Sequence, residues 1–123
     1  MIGSMSEKIL QSSRNLIQKK KGWAAIRYLH YGILHDPDNA PLYEQLGDAL
    51  KQALEYDLAL KIYRKGLHLA QTQGMVGLIP EIKAKIENIY LIDPQITTEG
   101  PQIGFFIRSI MKMLTQLGKK DWF

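Results

Sequence analysis

Residues 39–70 constrain the fold most strongly, because their apolar side chains recur at intervals of three and four. This spacing places the side chains on one face of a helix, and it occurs twice, over residues 40–54 and 56–70. Gly47 and Ala59 are small residues in the middle of these two helices, where small side chains let helices approach closely. The sequence therefore predicts two amphipathic helices packed against each other.

The pattern across these helices resembles the tetratricopeptide repeat, a helix-turn-helix unit of about 34 residues. The family's fixed places for large, small and aromatic side chains are filled here by Tyr43, Leu46, Gly47, Leu50, Ala59, Tyr63 and Gly66. The departures are Tyr43 for Trp, Leu50 for Tyr, Gly66 for Ala and Gln71 for Pro. Most of these changes conserve the size of the side chain.

The same period recurs toward the N-terminus. One repeat length before the second helix, the equivalent places hold Ala25, Leu29, Gly32 and Pro37. Residues 6–39 and 40–73 are therefore predicted to be two repeats, and the first helix of the earlier one fits less well, as expected of a terminal repeat. Residues 75–91 are predicted to form a packing helix over the second repeat. The resemblance implies an all-α fold, a short α-solenoid with capping or packing helices at its C-terminus.

The length of 123 residues indicates one domain with a modest core. Residues 1–5 are predicted to be a flexible N-terminus or a cloning remnant, and residues 6–94 a helical domain. Residues 95–100 are predicted to be a linker and residues 101–123 an amphipathic C-terminal helix.

Composition and motifs disfavour several classes of function. The chain has no cysteine, no glycine-rich phosphate loop and no histidine–carboxylate constellation, so we expect no enzyme, no cofactor and no metal site. Without a signal-peptide core or a long apolar run, the chain is expected to be cytoplasmic. The formal net charge is +4.

The resemblance implies a non-catalytic adaptor or scaffold that binds a partner protein or peptide. In the resembled fold, the first helix of each repeat lines a concave groove. The positions that face this groove are Leu10, Arg14 and Ile17 in the first repeat and Glu44, Asp48 and Lys51 in the second. They are predicted to be partner-binding residues, and the alternative is a solvated helix face.

A second set of partner-binding residues is predicted in the C-terminal helix, where apolar residues at helical spacing form a broad stripe over residues 101–117. Within this stripe, Phe105 and Phe106 are predicted to be partner-binding residues. Three interpretations are open: the helix caps the repeats, docks on a partner or a second copy of the chain, or lies on an anionic membrane. A peripheral membrane adaptor is accordingly the alternative function.

Two features of the N-terminal third also have alternative interpretations. The lysines at 19–21 suit the end of a helix, with Gly22 as a left-handed cap, or they contact an anion. Trp23 is either a core or staple residue or an exposed interaction anchor. Nucleic acid is a disfavoured partner, because no exposed cluster of aromatic and basic residues is expected.

Overall fold

The computed structural model describes residues 4–94 and Ile96, and every regular element among them is an α-helix. The all-α prediction is therefore confirmed, and the arrangement is consistent with helical repeats. The helices are α1 (Met5–Gln18), α2 (Gly22–His35), α3 (Ala40–Gln52), α4 (Tyr56–Thr72) and α5 (Leu78–Ile92).

Helix α1 is capped at Ser4, immediately before its first residue, Met5. Ser4 accepts a hydrogen bond from the backbone N–H of Glu7 at 3.2 Å, and Glu7 accepts one from the N–H of Ser4 at 2.8 Å. This reciprocal capping box satisfies two N–H groups that the helix itself leaves unpaired. Ser4 is therefore the N-cap of α1, and Met5 is its first helical residue.

The turn between α1 and α2 differs from the prediction. Lys20 adopts the left-handed conformation, with φ of 63°, whereas Gly22 is the first residue of α2. A Cβ atom at Gly22 would lie 3.0 Å from the carbonyl oxygen of Ala49 in α3. The glycine is thus needed for the close approach of two helices, a tertiary requirement that the local turn pattern does not reveal.

The helices α3 and α4 form the centre of the core, as the spacing predicted. Leu46 and Ala59 are completely buried, and the ring of Tyr63 lies directly over Gly47, where any larger residue would meet it. The Tyr63 hydroxyl donates a hydrogen bond to Asp48 Oδ1 at 2.5 Å, which fixes the ring. Leu54 is an exception, because α3 ends at Gln52 and leaves this side chain 71% exposed.

A polar cluster ties the start of α1 to the turn between α2 and α3. Asp36 Oδ2 accepts hydrogen bonds from Ser6 Oγ at 2.7 Å and from Asn39 Nδ2 at 2.9 Å. The bonds from Asn39 and Ser6 outweigh desolvation and lower the pKa of the Asp36 carboxyl. In the same turn the Tyr43 hydroxyl donates to the carbonyl oxygen of Pro37 at 2.7 Å.

The last described helix, α5, begins at Leu78 rather than at residue 75. Gly74 takes a positive φ of 69° in the connection, so the helix starts only after this turn. Ile82 and Ile89 are fully buried against the rest of the core. The predicted packing helix is therefore present, although its first turn lies three residues later.

Candidate binding surfaces

The groove residues predicted in α1 serve mainly to join α1 to α3. Leu10 and Ile17 are partly buried and pack against the core, whereas Arg14 is exposed. In the amide orientation that satisfies both partners, Gln45 of α3 donates to the Leu10 carbonyl oxygen at 3.2 Å and accepts from Arg14 Nη2 at 3.0 Å. Of these three residues, Arg14 is the exposed one, and Leu10 and Ile17 are partly buried.

The groove residues predicted in α3 are covered by α5, which corrects the expectation of an open groove. The ammonium group of Lys85 lies 3.0 Å from Glu44 Oε2 and 2.9 Å from Asp48 Oδ2. Lys51 Nζ donates to the side-chain oxygen of Asn88 at 2.6 Å. Glu44, Asp48 and Lys51 therefore bind side chains of their own chain.

Burial and charge together set the ionisation of this cluster. Burial raises the pKa of the Glu44 carboxyl, Lys85 acts in the opposite direction, and nearby Glu81 raises the pKa further. Burial alone would lower the pKa of Lys85, but Asp48 and Glu44 outweigh it and raise the pKa. Burial and Asp48 also raise the pKa of the Tyr63 hydroxyl. The arrangement is an ion-pair network that holds α5 on α3.

An exposed aromatic surface on α2 was not predicted as a binding site. Its members are Trp23, Tyr28, Tyr31 and Leu34, between 48% and 56% exposed. Their spacing along the helix places them within one broad arc, and the Tyr31 ring also contacts His35 at a centroid distance of 4.5 Å. We call these four residues the aromatic face. Of the two interpretations of Trp23, the core or staple residue is wrong, because 52% of its surface is exposed; its role as an interaction anchor stays a prediction.

The N-terminal end of the aromatic face has basic residues beside it. From residue 8 to residue 35 the chain contains no Asp or Glu, and Lys19, Lys20 and Lys21 immediately precede α2. All three lysines are exposed. Nucleic acid was disfavoured as a partner because no exposed cluster of aromatic and basic residues was expected. This part of the chain does expose such residues together, so that argument does not apply to it.

A second surface feature lies between α4 and α5. It is a groove of about 450 Å³ with an apolar floor from Leu67 and Ile86. Polar and charged side chains surround this floor: Arg64, His68, Gln71, Lys83 and Glu87. The Arg64 guanidinium donates to the Tyr90 hydroxyl at 2.9 Å and so bridges the two helices.

The remaining predictions concern other residues or other kinds of site. Phe105 and Phe106 lie outside the described residues. Within the described part of the chain, no group of three or more His, Asp or Glu side chains is placed to hold a metal ion. No helix among the same residues is long and apolar enough to span a bilayer.

Comparisons with known proteins add no identification. No family model matches the chain, and neither the curated proteins nor the solved structures contain a match. The resemblance to the tetratricopeptide repeat accordingly stays a prediction from the residues, and the function is argued from the surfaces.

Proposed function

We propose that the protein is a non-catalytic interaction module that docks a partner peptide or helix on the aromatic face of α2. The observation that carries this proposal is the half exposure of Trp23, Tyr28 and Tyr31 on a single helix. Their combined exposed area is on the order of 350 Å², taking a typical area for each ring and the exposed half of it. Aromatic side chains of this kind dominate the binding energy of protein interfaces.

The size of the aromatic face argues for a small occupant. A stable dimer buries about 800 Å² on each partner, more than twice the area that these side chains expose. A single helix or a short extended peptide needs only a few anchors.

Charge indicates the chemistry of the partner. The exposed lysines at 19–21 lie beside Trp23, at the N-terminal end of the aromatic face, whereas Asp36 and Asp38 follow Leu34 at its other end. Opposite charges across an interface steer association and fix orientation. The expected partner segment therefore combines apolar anchors with acidic side chains.

The experiment is a selection of random peptides displayed on phage, carried out against the full chain. The affinity of every enriched peptide is then measured for the original chain and for a Trp23→Ser/Tyr31→Ser variant, which takes no part in the selection. The matched control is Val76→Ser, which alters an apolar side chain that is 80% exposed on a different part of the surface. Circular dichroism checks that each variant remains folded.

The proposal expects acidic peptides with apolar anchors. Their affinity for the double variant should be at least tenfold lower than for the original chain, whereas their affinity for Val76→Ser should be unchanged. It is wrong if every selected peptide binds the double variant as well as the original chain. Vesicles rich in phosphatidylserine are tested in parallel. Sedimentation with these vesicles that depends on Trp23 and Tyr31, without any selected peptide, would identify a membrane surface as the partner instead.

A further inference from the structure

Side chains of α3 and α5 meet in one register, with the two helices running in the same direction. The hydrogen bonds that set this register join Asp48 to Lys85 and Lys51 to Asn88, each pair 37 residues apart. One helical turn toward the N-terminus, the same register places Glu44 beside Glu81. Glu81 does act on the carboxyl group of Glu44 and raises its pKa. Two acidic side chains therefore meet where α5 contacts α3.

The cluster at this contact carries more negative than positive charge. Among the described residues, the carboxyl groups of Glu44, Asp48 and Glu81 surround the ammonium group of Lys85. One cation does not balance three carboxylates, and carboxylates that share a partly buried site do not all stay ionised. A proton on one of the three carboxyl groups relieves this repulsion.

The hydrogen bonds assign the proton to Glu44 rather than to Asp48. Asp48 Oδ1 accepts from the Tyr63 hydroxyl at 2.5 Å, and Oδ2 accepts from Lys85 at 2.9 Å, so both oxygens are stabilised in the charged form. Glu44 is only 8% exposed. Lys85 lies 3.0 Å from Glu44 Oε2, but no described group makes an aligned hydrogen bond to this buried oxygen. A protonated Glu44 can donate to the neighbouring carboxylate of Glu81, which an ionised one cannot.

We infer that α5 docks on α3 with the uptake of one proton, shared between Glu44 and Glu81, and is thus a latch that tightens as the pH falls from neutral. Release of α5 returns Glu44 to water, where the ordinary pKa of its carboxyl is 4.5. In the docked state, burial and Glu81 raise this pKa. The docked state therefore binds the proton more tightly, so docking strengthens as the pH falls through the raised pKa and weakens as it rises. Each opening of α5 exposes the groove face predicted on α3.

The other groups near the cluster do not account for such a response. Burial raises the pKa of the Tyr63 hydroxyl on α4, so it stays protonated. Arg14 of α1 reaches α3 at Gln45, beside the cluster, and a guanidinium keeps its charge. Helix α2 packs on a different side of α3, at Ala49. Histidine changes charge between pH 5 and 8, and His68 lines the α4–α5 groove, so the experiment must exclude it.

Hydrogen exchange of the full chain measures the docking of α5, with protection factors corrected for the intrinsic effect of pH on exchange. The amides of residues 82–92 are expected to be protected at least twofold more at pH 5 than at pH 7.5. Glu44→Gln, which cannot ionise, should lose this increase, whereas the control His68→Gln should keep it. The inference is overturned if the original chain shows no increase, if Glu44→Gln retains it, or if His68→Gln abolishes it.

A second measurement requires no variant to fold. The side-chain carboxyl carbon of Glu44, followed by NMR in the unmodified chain, should titrate with a midpoint above the ordinary value of 4.5. A midpoint at or below that value would contradict the inference. Because the aromatic face lies on α2, neither measurement depends on the function proposed above.

Discussion

Replacing Gly47 with alanine tests whether the packing of α3 on α4 depends on the missing side chain. A Cβ atom at this position would lie less than 3.0 Å from three atoms of the Tyr63 ring. The ring has little freedom to move, because Tyr63 is 1% exposed and its hydroxyl is bonded to Asp48. Accommodating the methyl group therefore requires α3 and α4 to separate.

The expected magnitude follows from two opposing effects. Alanine in place of glycine in a helix interior gains about 0.8–1.0 kcal/mol of helix propensity. Overpacking of a dense core costs about 1–3 kcal/mol, and a clash with three ring atoms belongs at the upper end of that range. The free energy of unfolding should fall by roughly 1–2 kcal/mol, which lowers Tm by roughly 5–15 °C in a domain of this size.

The assay is thermal and urea denaturation of a double-mutant cycle with Tyr63→Leu, which removes the clashing ring atoms. In the Tyr63→Leu background, Gly47→Ala is expected to be neutral or to stabilise. Gly66→Ala is the matched control on the facing helix, since its nearest side-chain neighbour, Tyr43 Cβ, would lie 3.2 Å away. A rise in Tm on Gly47→Ala in the original background would refute the reasoning.

Three further predictions concern polar contacts and are measured by urea denaturation. Lys85→Met leaves Glu44 buried without its cation, so it should lower the free energy of unfolding by roughly 1–3 kcal/mol at pH 7. Because Lys85 lowers the pKa of Glu44, the variant raises that pKa further; protonation of Glu44 then removes the unpaired charge, so the loss should shrink toward pH 4. A loss of the same size at pH 7 and pH 4 would contradict this. Ser4→Ala removes the capping box and should cost about 1 kcal/mol, whereas Ser12→Ala, within α1, serves as its control. Asp36→Ala should lower the free energy of unfolding at neutral pH. Because the pKa of Asp36 is lowered in the folded chain, the difference in unfolding free energy between the original chain and the variant should decrease as the pH falls below about 4. A difference that stays constant with pH would show that the charge of Asp36 does not contribute to stability.

Local periodicity predicted most of the secondary structure. Helices α3 and α4 lie within two residues of the predicted bounds, because three- and four-residue spacing indicates the buried face of a helix. The errors lie at helix ends. Leu54 and Met75 were included in the predicted helical ranges, but both lie outside the helices, and Leu54 adopts a positive φ of 67°.

The candidate site was predicted less well than the fold. The sequence placed Glu44, Asp48 and Lys51 on one face of α3, which is correct, but that face is occupied by Lys85 and Asn88. These partners lie 37 or more positions further along the chain. Spacing within a helix cannot indicate which distant helix will cover it.

The sequence by itself determined where most helices form and which residues face the core, because hydrophobic periodicity and turn residues act over a few positions. Only the tertiary structure decided which faces stay open. In α2 the sequence shows apolar residues around most of the helix, and packing against α1 and α3 covers one side and leaves the aromatic face in water. Which faces stay open decides which side chains can bind a partner, and this depends on contacts between residues far apart in the chain.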